Sequence, residues 1–262
     1  MSSKFFQLKS FFTYWLDAVD EHSLHSPFLF DLYTNILKKD LPHSEFDSLR
    51  KIRRRLRQDQ RILHVKDLGA GSLLLKTSSR KIADIARISV TPEKFSTLYA
   101  AIIRHYNCRS IVELGTSLGL NTLYLAKAEE SVKVFTFEGS PEVAHIATHL
   151  FQENQLTNIQ LIEGNIDDTL SAGLSAIEKI DFALIDANHR FEPTLQYVDL
   201  LMEKIHPQSI LVVDDIHYSE EMEQAWHTIQ AYDRVYTTVD LYRCGLIFFN
   251  PSLTRQNVVL QF

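Results

Sequence analysis

The sequence predicts an α/β fold: a mostly parallel sheet of seven strands with an antiparallel hairpin at its edge, preceded by a helical extension over residues 1–90. Two observations support this prediction. Within residues 91–262, short runs rich in β-branched and aromatic residues alternate with segments of helical periodicity, which is typical of βαβ units. The last two runs are separated only by Tyr242-Arg243, and this connection is too short for a parallel crossover.

The extension is predicted to form three helices. Apolar residues at helical spacing mark the first helix from Phe5 to Val19, and Pro27 begins the second. The third helix lies around Leu49 to Leu56, and seven Lys and Arg residues fall between positions 50 and 61. The segment 67–72 imitates a cofactor-binding turn, but the later glycine is missing, so we interpret it as a loop.

The domain over residues 91–262 is predicted to alternate strands and helices with right-handed crossovers. The predicted strands are 110–114, 132–138, 158–163, 180–186, 209–215, 234–241 and 244–250. The predicted helices are 117–129, 141–154, 166–178, 192–204 and 219–231.

Composition excludes several classes of protein. The 262 residues carry a formal net charge of −6, and 45% of them are hydrophobic, which indicates a globular chain and excludes a globally basic nucleic-acid binder. No apolar run reaches the ~18 residues of a membrane span, and no secretory leader is recognisable. The two cysteines form no disulfide or metal pattern, so we expect a reducing cytoplasm. Nucleic acid stays open as a partner only through the basic segment 50–61.

The strongest motif is a glycine turn, residues 111–119, that leaves a strand and enters a helix. A dinucleotide fingerprint would need glycine where Ser117 stands. Gly115 to Gly119 also reads as the G-x-S-x-G nucleophile elbow of hydrolases, and Ser117, Asp214 and His217 follow in triad order. That elbow normally follows several strands and an oxyanion loop, whereas this turn follows the first clear strand.

A third interpretation uses the acidic strand ends around the turn. Glu113 ends the first strand, Gly115 and Gly119 follow, and Glu138 ends the second strand. This pattern resembles the class I S-adenosylmethionine (SAM)-dependent methyltransferases, whose Rossmann-like sheet also has seven strands. The resemblance implies that the two glycines let the backbone run close to the amino-acid part of SAM. It also implies that Glu113 binds the ammonium group of SAM and that Glu138 binds the ribose hydroxyls. The implied cofactor-binding residues are Glu113, Gly115, Thr116, Ser117, Gly119, Glu138, Gly139, Asn165, Ile166 and Asp186.

Three carboxylates end the fourth and fifth strands of the predicted sheet. Asp186 ends one strand, and Asp214 and Asp215 end its neighbour; three hard oxygen ligands are typical of a Mg²⁺ site. These residues resemble the metal-binding positions of the catechol and caffeoyl-coenzyme A O-methyltransferases, although Asp215 replaces an Asn. Where those enzymes have a catalytic Lys, this chain has His189, which is a plausible base at neutral pH. His217 is the second candidate base or substrate contact.

The sequence therefore predicts a SAM-dependent methyltransferase that methylates the hydroxyl of a small molecule, with Mg²⁺ as a candidate second cofactor on Asp186, Asp214 and Asp215. We expect the N-terminal helices to cover the site as a lid, and a homodimer is a candidate assembly. Two alternatives stay open: an RNA methyltransferase that uses the basic segment 50–61, and a hydrolase with Ser117 as nucleophile.

Overall fold

The computed structural model describes residues 3–39, 46–65 and 79–262, so the segment 67–72 lies outside the described residues. The described α-helices are α1 Ser3–Asp17, α2 Pro27–Leu32, α3 Asp47–Leu56, α4 Ile82–Ile88, α5 Glu93–His105, α6 Leu120–Ala126, α7 Pro141–Glu153, α8 Ile166–Ser175, α9 Phe191–Met202 and α10 Glu220–Gln230. The described strands are β1 Ile62–His64, β2 Ser79–Lys81, β3 Ser110–Leu114, β4 Lys133–Glu138, β5 Ile159–Glu163, β6 Ile180–Ile185, β7 Ile205–Asp214, β8 Thr237–Asp240, β9 Cys244–Phe248 and β10 Gln256–Val259. A π-helix, Tyr33–Leu37, continues directly from α2.

The chain divides into two compact units, and their boundaries do not follow residue 90. One unit contains residues 40–176, and the other combines residues 1–39 with residues 177–262. The first two predicted helices therefore belong with the C-terminal strands. The third, basic helix belongs with the first strands of the sheet.

The unit of residues 40–176 is built on three parallel strands. β4 pairs with both β3 and β5, and the helices α6 and α7 connect the strands in sequence. Pro141 at the first turn of α7 supplies a preset helical φ. Asn165 caps α8 through its side-chain oxygen. β1 and β2 form a small antiparallel pair in the part of the N-terminal extension that follows its three predicted helices.

The unit of residues 1–39 and 177–262 contains five strands in the order β10-β8-β9-β7-β6. β6 is buried along its whole length, including Asp181, and its other five residues are apolar, as expected for a strand covered on both faces. β9 runs antiparallel to both β7 and β8, so the predicted antiparallel hairpin is confirmed. β10 pairs parallel to β8 and forms an edge strand that the sequence analysis missed.

The predicted α/β class is confirmed, with one difference in strand number. The described strands β3 to β10 number eight, where seven were predicted. The extra strand, β10, is short and only partly buried, so its sequence has no clear alternation of apolar and polar residues. Within the described residues, no helix is long and apolar enough to cross a membrane.

α1 is helical as predicted, but its buried face differs from the expected one. Phe6, Ser10 and Tyr14 are buried. Ser10 Oγ donates to Glu223 at 3.2 Å and Tyr14 Oη donates to the Leu260 carbonyl at 2.7 Å. The residues that the periodicity placed on the packing face are instead exposed within this unit: Phe5, Leu8, Phe12, Trp15 and Leu16.

The close packing of β9 yields a stability prediction. A Cβ added at Gly245 would lie 2.3 Å from Cη2 of Trp226, so Gly245→Ala must displace a buried ring. Because overpacking of a filled core typically costs ~1–3 kcal/mol, we expect urea denaturation to show a loss of that order. In the double variant with Trp226→Phe, the cost of Gly245→Ala should shrink, since the smaller ring lacks the clashing atoms. If Gly245→Ala costs the same unfolding free energy in the wild type and in the Trp226→Phe background, the prediction is wrong.

Candidate functional site

The glycine turn adopts a backbone that its sequence explains. Gly115, Ser117 and Gly119 have φ values of 102°, 48° and 79°. A Cβ at Gly119 would also lie 2.8 Å from the Phe151 ring and 2.9 Å from Ala147, so glycine is required there for two independent reasons. Ser117 adopts a positive φ without being glycine, and such strain is concentrated at functional sites.

Glu113 is a fully buried carboxylate that joins three elements of this unit. Its Oε1 accepts from Asn121 Nδ2 at 2.8 Å, and its Oε2 accepts from Thr122 Oγ1 at 2.6 Å and Thr136 Oγ1 at 2.7 Å. Burial raises the pKa of Glu113 to about 6, although these three donors oppose the rise. Glu113 therefore fixes the first turn of α6 against β3 and β4, and the ammonium contact that the resemblance implies stays a prediction.

Glu138 presents a carboxylate whose two oxygens are each fixed by the backbone. The Ser117 N–H donates to Oε2 at 2.8 Å and the Ser140 N–H donates to Oε1 at 2.9 Å. Burial raises the pKa of Glu138, and the N–H groups of Ser140, Ser117 and Gly139 counter this effect. Each carboxylate oxygen has lone pairs for a further donor, so a pair of hydroxyls fits this group.

The predicted adenine-edge loop is connected to the same group. The Gly164 N–H donates to the Glu138 carbonyl at 2.9 Å, and Gly164 has a φ of 132°. Asn165 follows and accepts from the Asp167 N–H at 3.4 Å, while Ile166 begins α8 and is buried. Within residues 40–176, the structure thus brings the glycine turn, Glu138 and this loop together. This arrangement fits the SAM molecule that the motif implies.

The other unit contains the three aspartates and a cation that the sequence analysis missed. Asp214 is 0% exposed, and its Oδ2 accepts from Arg243 Nη2 at 2.7 Å. Arg243 Nη1 lies 3.6 Å from Asp215 Oδ1. Burial would lower the pKa of the Arg243 guanidinium, but Asp214, Asp215 and Asp186 together raise it. Burial and the adjacent Asp215 raise the pKa of Asp214, and Arg243 opposes the rise.

This donor set does not fit the predicted Mg²⁺ ion. A Mg²⁺ site needs carboxylate oxygens that are free to face the ion, and the buried Asp214 already binds a guanidinium. Across residues 3–39, 46–65 and 79–262, no three His, Cys, Asp or Glu side chains form a group able to hold a metal. Only the strand register would have indicated Arg243 as the partner of these aspartates. Arg243 precedes Cys244, and Cys244 pairs with Asp214 in the ladder of β7 and β9.

His189 lies in a strained loop beside Asp186. His189 and Asn188 have positive φ values of 41° and 66°, and His189 Nε2 lies 3.5 Å from Asp186 Oδ1. The side chains are only partly exposed, at 23% and 14%. An imidazole oriented by a carboxylate is a common arrangement for a general base.

His217 has both ring nitrogens engaged. Nε2 lies 2.8 Å from Asp240 and Nδ1 lies 3.0 Å from Glu223, while the ring stacks on Tyr242 at 5.4 Å. Burial would lower the pKa of His217, but the two carboxylates raise it above the ordinary value. These contacts favour an imidazolium that is held in place.

The basic segment is largely paired within its own unit. Arg53 is buried and donates to the Thr91 carbonyl at 2.9 Å. Arg50 binds Glu93 and Arg55 binds Glu153. These contacts explain part of the charge run as internal ion pairing.

Comparisons with known proteins support the interpretation of this fold. Residues 112–216 match the family model of a methyltransferase domain. A catechol O-methyltransferase of Niastella koreensis is 28% identical over 150 residues, which are 55% of this chain and 66% of that protein. The match thus spans slightly less than two thirds of that relative.

Solved structures resemble the fold at low sequence identity. An O-methyltransferase of Bacillus cereus in complex with SAH covers 84% of this chain and 96% of its own, with 16% identity and a TM-score of 0.56. An O-methyltransferase of Streptomyces achromogenes, involved in tomaymycin synthesis and solved with SAM, covers 62% and 82%, with 17% identity and a TM-score of 0.55.

The buried Glu113 yields a prediction about pH. Its pKa rises from 4.5 to about 6 in the folded state, so the folded state binds this proton more tightly than the unfolded state. The stability that this proton confers is present below pH 4.5 and is lost as the pH rises through about 6. Relative to Glu113→Gln, the wild type should lose ~2 kcal/mol across this window, at 1.36 kcal/mol per pKa unit. Urea denaturation at a series of pH values measures this. If the difference in unfolding free energy between the wild type and Glu113→Gln does not change with pH, the prediction is wrong. The control is Glu163→Gln, an exposed position, whose unfolding free energy should depend on pH as that of the wild type does.

Proposed function

We propose that the protein transfers the methyl group of SAM to a hydroxyl oxygen of a small molecule. The match of residues 112–216 to a methyltransferase domain supports this proposal. The observation that carries the proposal is Glu138, whose two oxygens are fixed by the Ser117 and Ser140 N–H groups directly beside the glycine turn. A prearranged carboxylate at this position suits a vicinal pair of ribose hydroxyls.

Several residues of the unit 40–176 would hold the cofactor. The glycine turn would approach its amino-acid part, Glu138 would accept the ribose hydroxyls, and the loop at Asn165 and Ile166 would border the adenine. When bound, SAM supplies a methyl group activated by a positively charged sulfur. The protein then has to align the acceptor and take up its proton.

His189 is the residue that we propose as the base. Asp186, at 3.5 Å, favours the tautomer with the proton on Nε2, which leaves Nδ1 to accept the hydroxyl proton of the acceptor. Asn188 and His189, which place this ring in the loop after β6, both have positive φ values. Asp186 acts as the residue that orients this base.

His217 is better suited to positioning than to proton transfer. Since both ring nitrogens bind carboxylates, neither nitrogen is available to take a proton from an acceptor. We propose that His217 orders the segment after β7 through Glu223, Asp240 and Tyr242. The same contacts count against the hydrolase alternative, because a triad histidine needs one nitrogen for its serine.

The substrate class is inferred from the acceptor chemistry. The catechol O-methyltransferase relative acts, by its name, on a dihydroxybenzene, and we propose that this chain also takes a small hydroxyl-bearing molecule. The ion pairs of Arg50 and Arg55, and the hydrogen bond from the buried Arg53 to a backbone carbonyl, do not favour the RNA alternative. A screen with labelled SAM over catechols, other phenols, sugars and total RNA decides between these acceptors, and label found only in RNA would overturn the proposal.

Cofactor affinity should depend on Glu138 and much less on its neighbour in the sheet. Glu138→Gln removes the charge and one acceptor for the backbone donors, and we expect SAM binding to weaken by ~1–3 kcal/mol, which is roughly 5- to 150-fold in Kd. The matched control is Glu163→Gln, because Glu163 pairs with Glu138 in register but is exposed. Isothermal titration calorimetry measures both. Equal affinities for the two variants would refute the assignment of Glu138.

The base should affect turnover rather than cofactor binding. We expect His189→Gln to lower kcat by ~10²–10⁴-fold, the usual contribution of a general base, with little change in the Kd of SAM. The control is His227→Gln, since His227 is exposed on α10. Methyl transfer to the acceptor found in the screen gives kcat. Unchanged turnover in His189→Gln would exclude His189 as the base.

A further inference from the structure

The carboxyl ends of β6 and β7 gather negative charge that a cation must compensate. Asp214 is completely buried, Asp215 follows it with a positive φ of 53°, and the charge of Asp186 also acts on Arg243. Burying a carboxylate without a partner is costly, so the fold needs a positive charge at this point. In the catechol-type enzymes that the sequence resembles, a divalent ion is expected there.

The hairpin of β8 and β9 delivers that charge. Leu241 to Cys244 form a tight turn in which Tyr242 has a φ of 66° and the Arg243 N–H donates to the Leu241 carbonyl at 2.8 Å. The Arg243 carbonyl in turn accepts from the Ile216 N–H at 3.2 Å. Because Asp214 pairs with Cys244, the preceding Arg243 stands across from Asp215. The backbone of Arg243 is therefore fixed beside the carboxylates that its side chain binds.

We propose that Arg243 takes the place of a divalent cation at Asp186, Asp214 and Asp215, so that this chain transfers methyl groups without a metal. The proposal rests on the proposed function and deepens it. Arg243 is a positioning residue: its guanidinium keeps Asp214 and Asp215 ordered, with Asp186 and its neighbour His189 beside them. A guanidinium suits this task because its planar N–H donors match carboxylate geometry and its charge persists at any working pH.

A cation binding experiment tests the inference directly. The full chain is stripped with EDTA, saturated with SAM and titrated with Mn²⁺, while electron paramagnetic resonance measures the free ion. We expect no saturable Mn²⁺ site. One saturable site per chain that disappears in Asp214→Asn would overturn the inference. The Mn²⁺ titration needs no methyl acceptor. If the acceptor screen fails, that failure counts against the proposed function, and the titration still decides whether the chain binds a divalent cation.

Variants at position 243 separate positioning from structural support. On the acceptor from the screen, turnover of the wild type should be the same with and without EDTA. Arg243→Gln should lower kcat at least about tenfold, equivalent to ~1.4 kcal/mol, while the KM for SAM stays within about threefold. Arg243→Lys should retain more of kcat because it keeps the positive charge, and the control Arg54→Gln, on the exposed side of α3, should match the wild type.

Two results of the variant series would overturn the inference. One is wild-type turnover in a folded Arg243→Gln, and the other is turnover that EDTA abolishes and Mg²⁺ restores. Circular dichroism establishes whether each variant is folded. If Arg243→Gln does not fold, the comparison of Arg243→Lys with the wild type and the Mn²⁺ titration together still decide the question.

Discussion

The burial of Glu113 is the constraint on which the unit of residues 40–176 depends. A carboxylate with no access to water must have its oxygens satisfied by the protein, and here the donors come from the first turn of α6 and from β4. These hydrogen bonds connect β3, α6 and β4 through the single carboxylate of Glu113. The glycine turn between them has little freedom left, and its Ser117 N–H therefore points at Glu138.

Charge compensation governs the other unit in the same way. Two of its buried acidic groups are matched by a basic side chain from a different element: Asp214 by Arg243 of the hairpin, and Asp240 by His217 after β7. Tyr242 joins the two pairs, since it lies next to Arg243 and stacks on His217. The segments that follow these strands are therefore held by ionic contacts, whose strength grows with burial.

Sequence patterns predicted the elements whose signals are local. The alternation of strands and helices after residue 91, the glycine turn and Glu138 all depend on spacing along the chain, and the structure has them where they were expected. Three features escaped because they depend on distant partners: the strand β10, the buried face of α1 and the guanidinium of Arg243. An aspartate that binds a metal and one that binds an arginine look the same in a sequence, since the cation is chosen by tertiary contact.

The docking of α1 on the last residues of the chain has a consequence for synthesis. Tyr14 bonds the carbonyl of Leu260, 246 positions away, and Val19 pairs with Leu260 as well. A ribosome that adds ~5–20 residues per second needs roughly ten to fifty seconds to travel that distance. Throughout that interval the nascent N-terminal segment, with its Phe and Trp side chains, has no native surface to pack against at this site. Cotranslational folding can therefore complete the unit of residues 40–176 first, whereas the unit that joins both ends of the chain must wait for translation to pass residue 260.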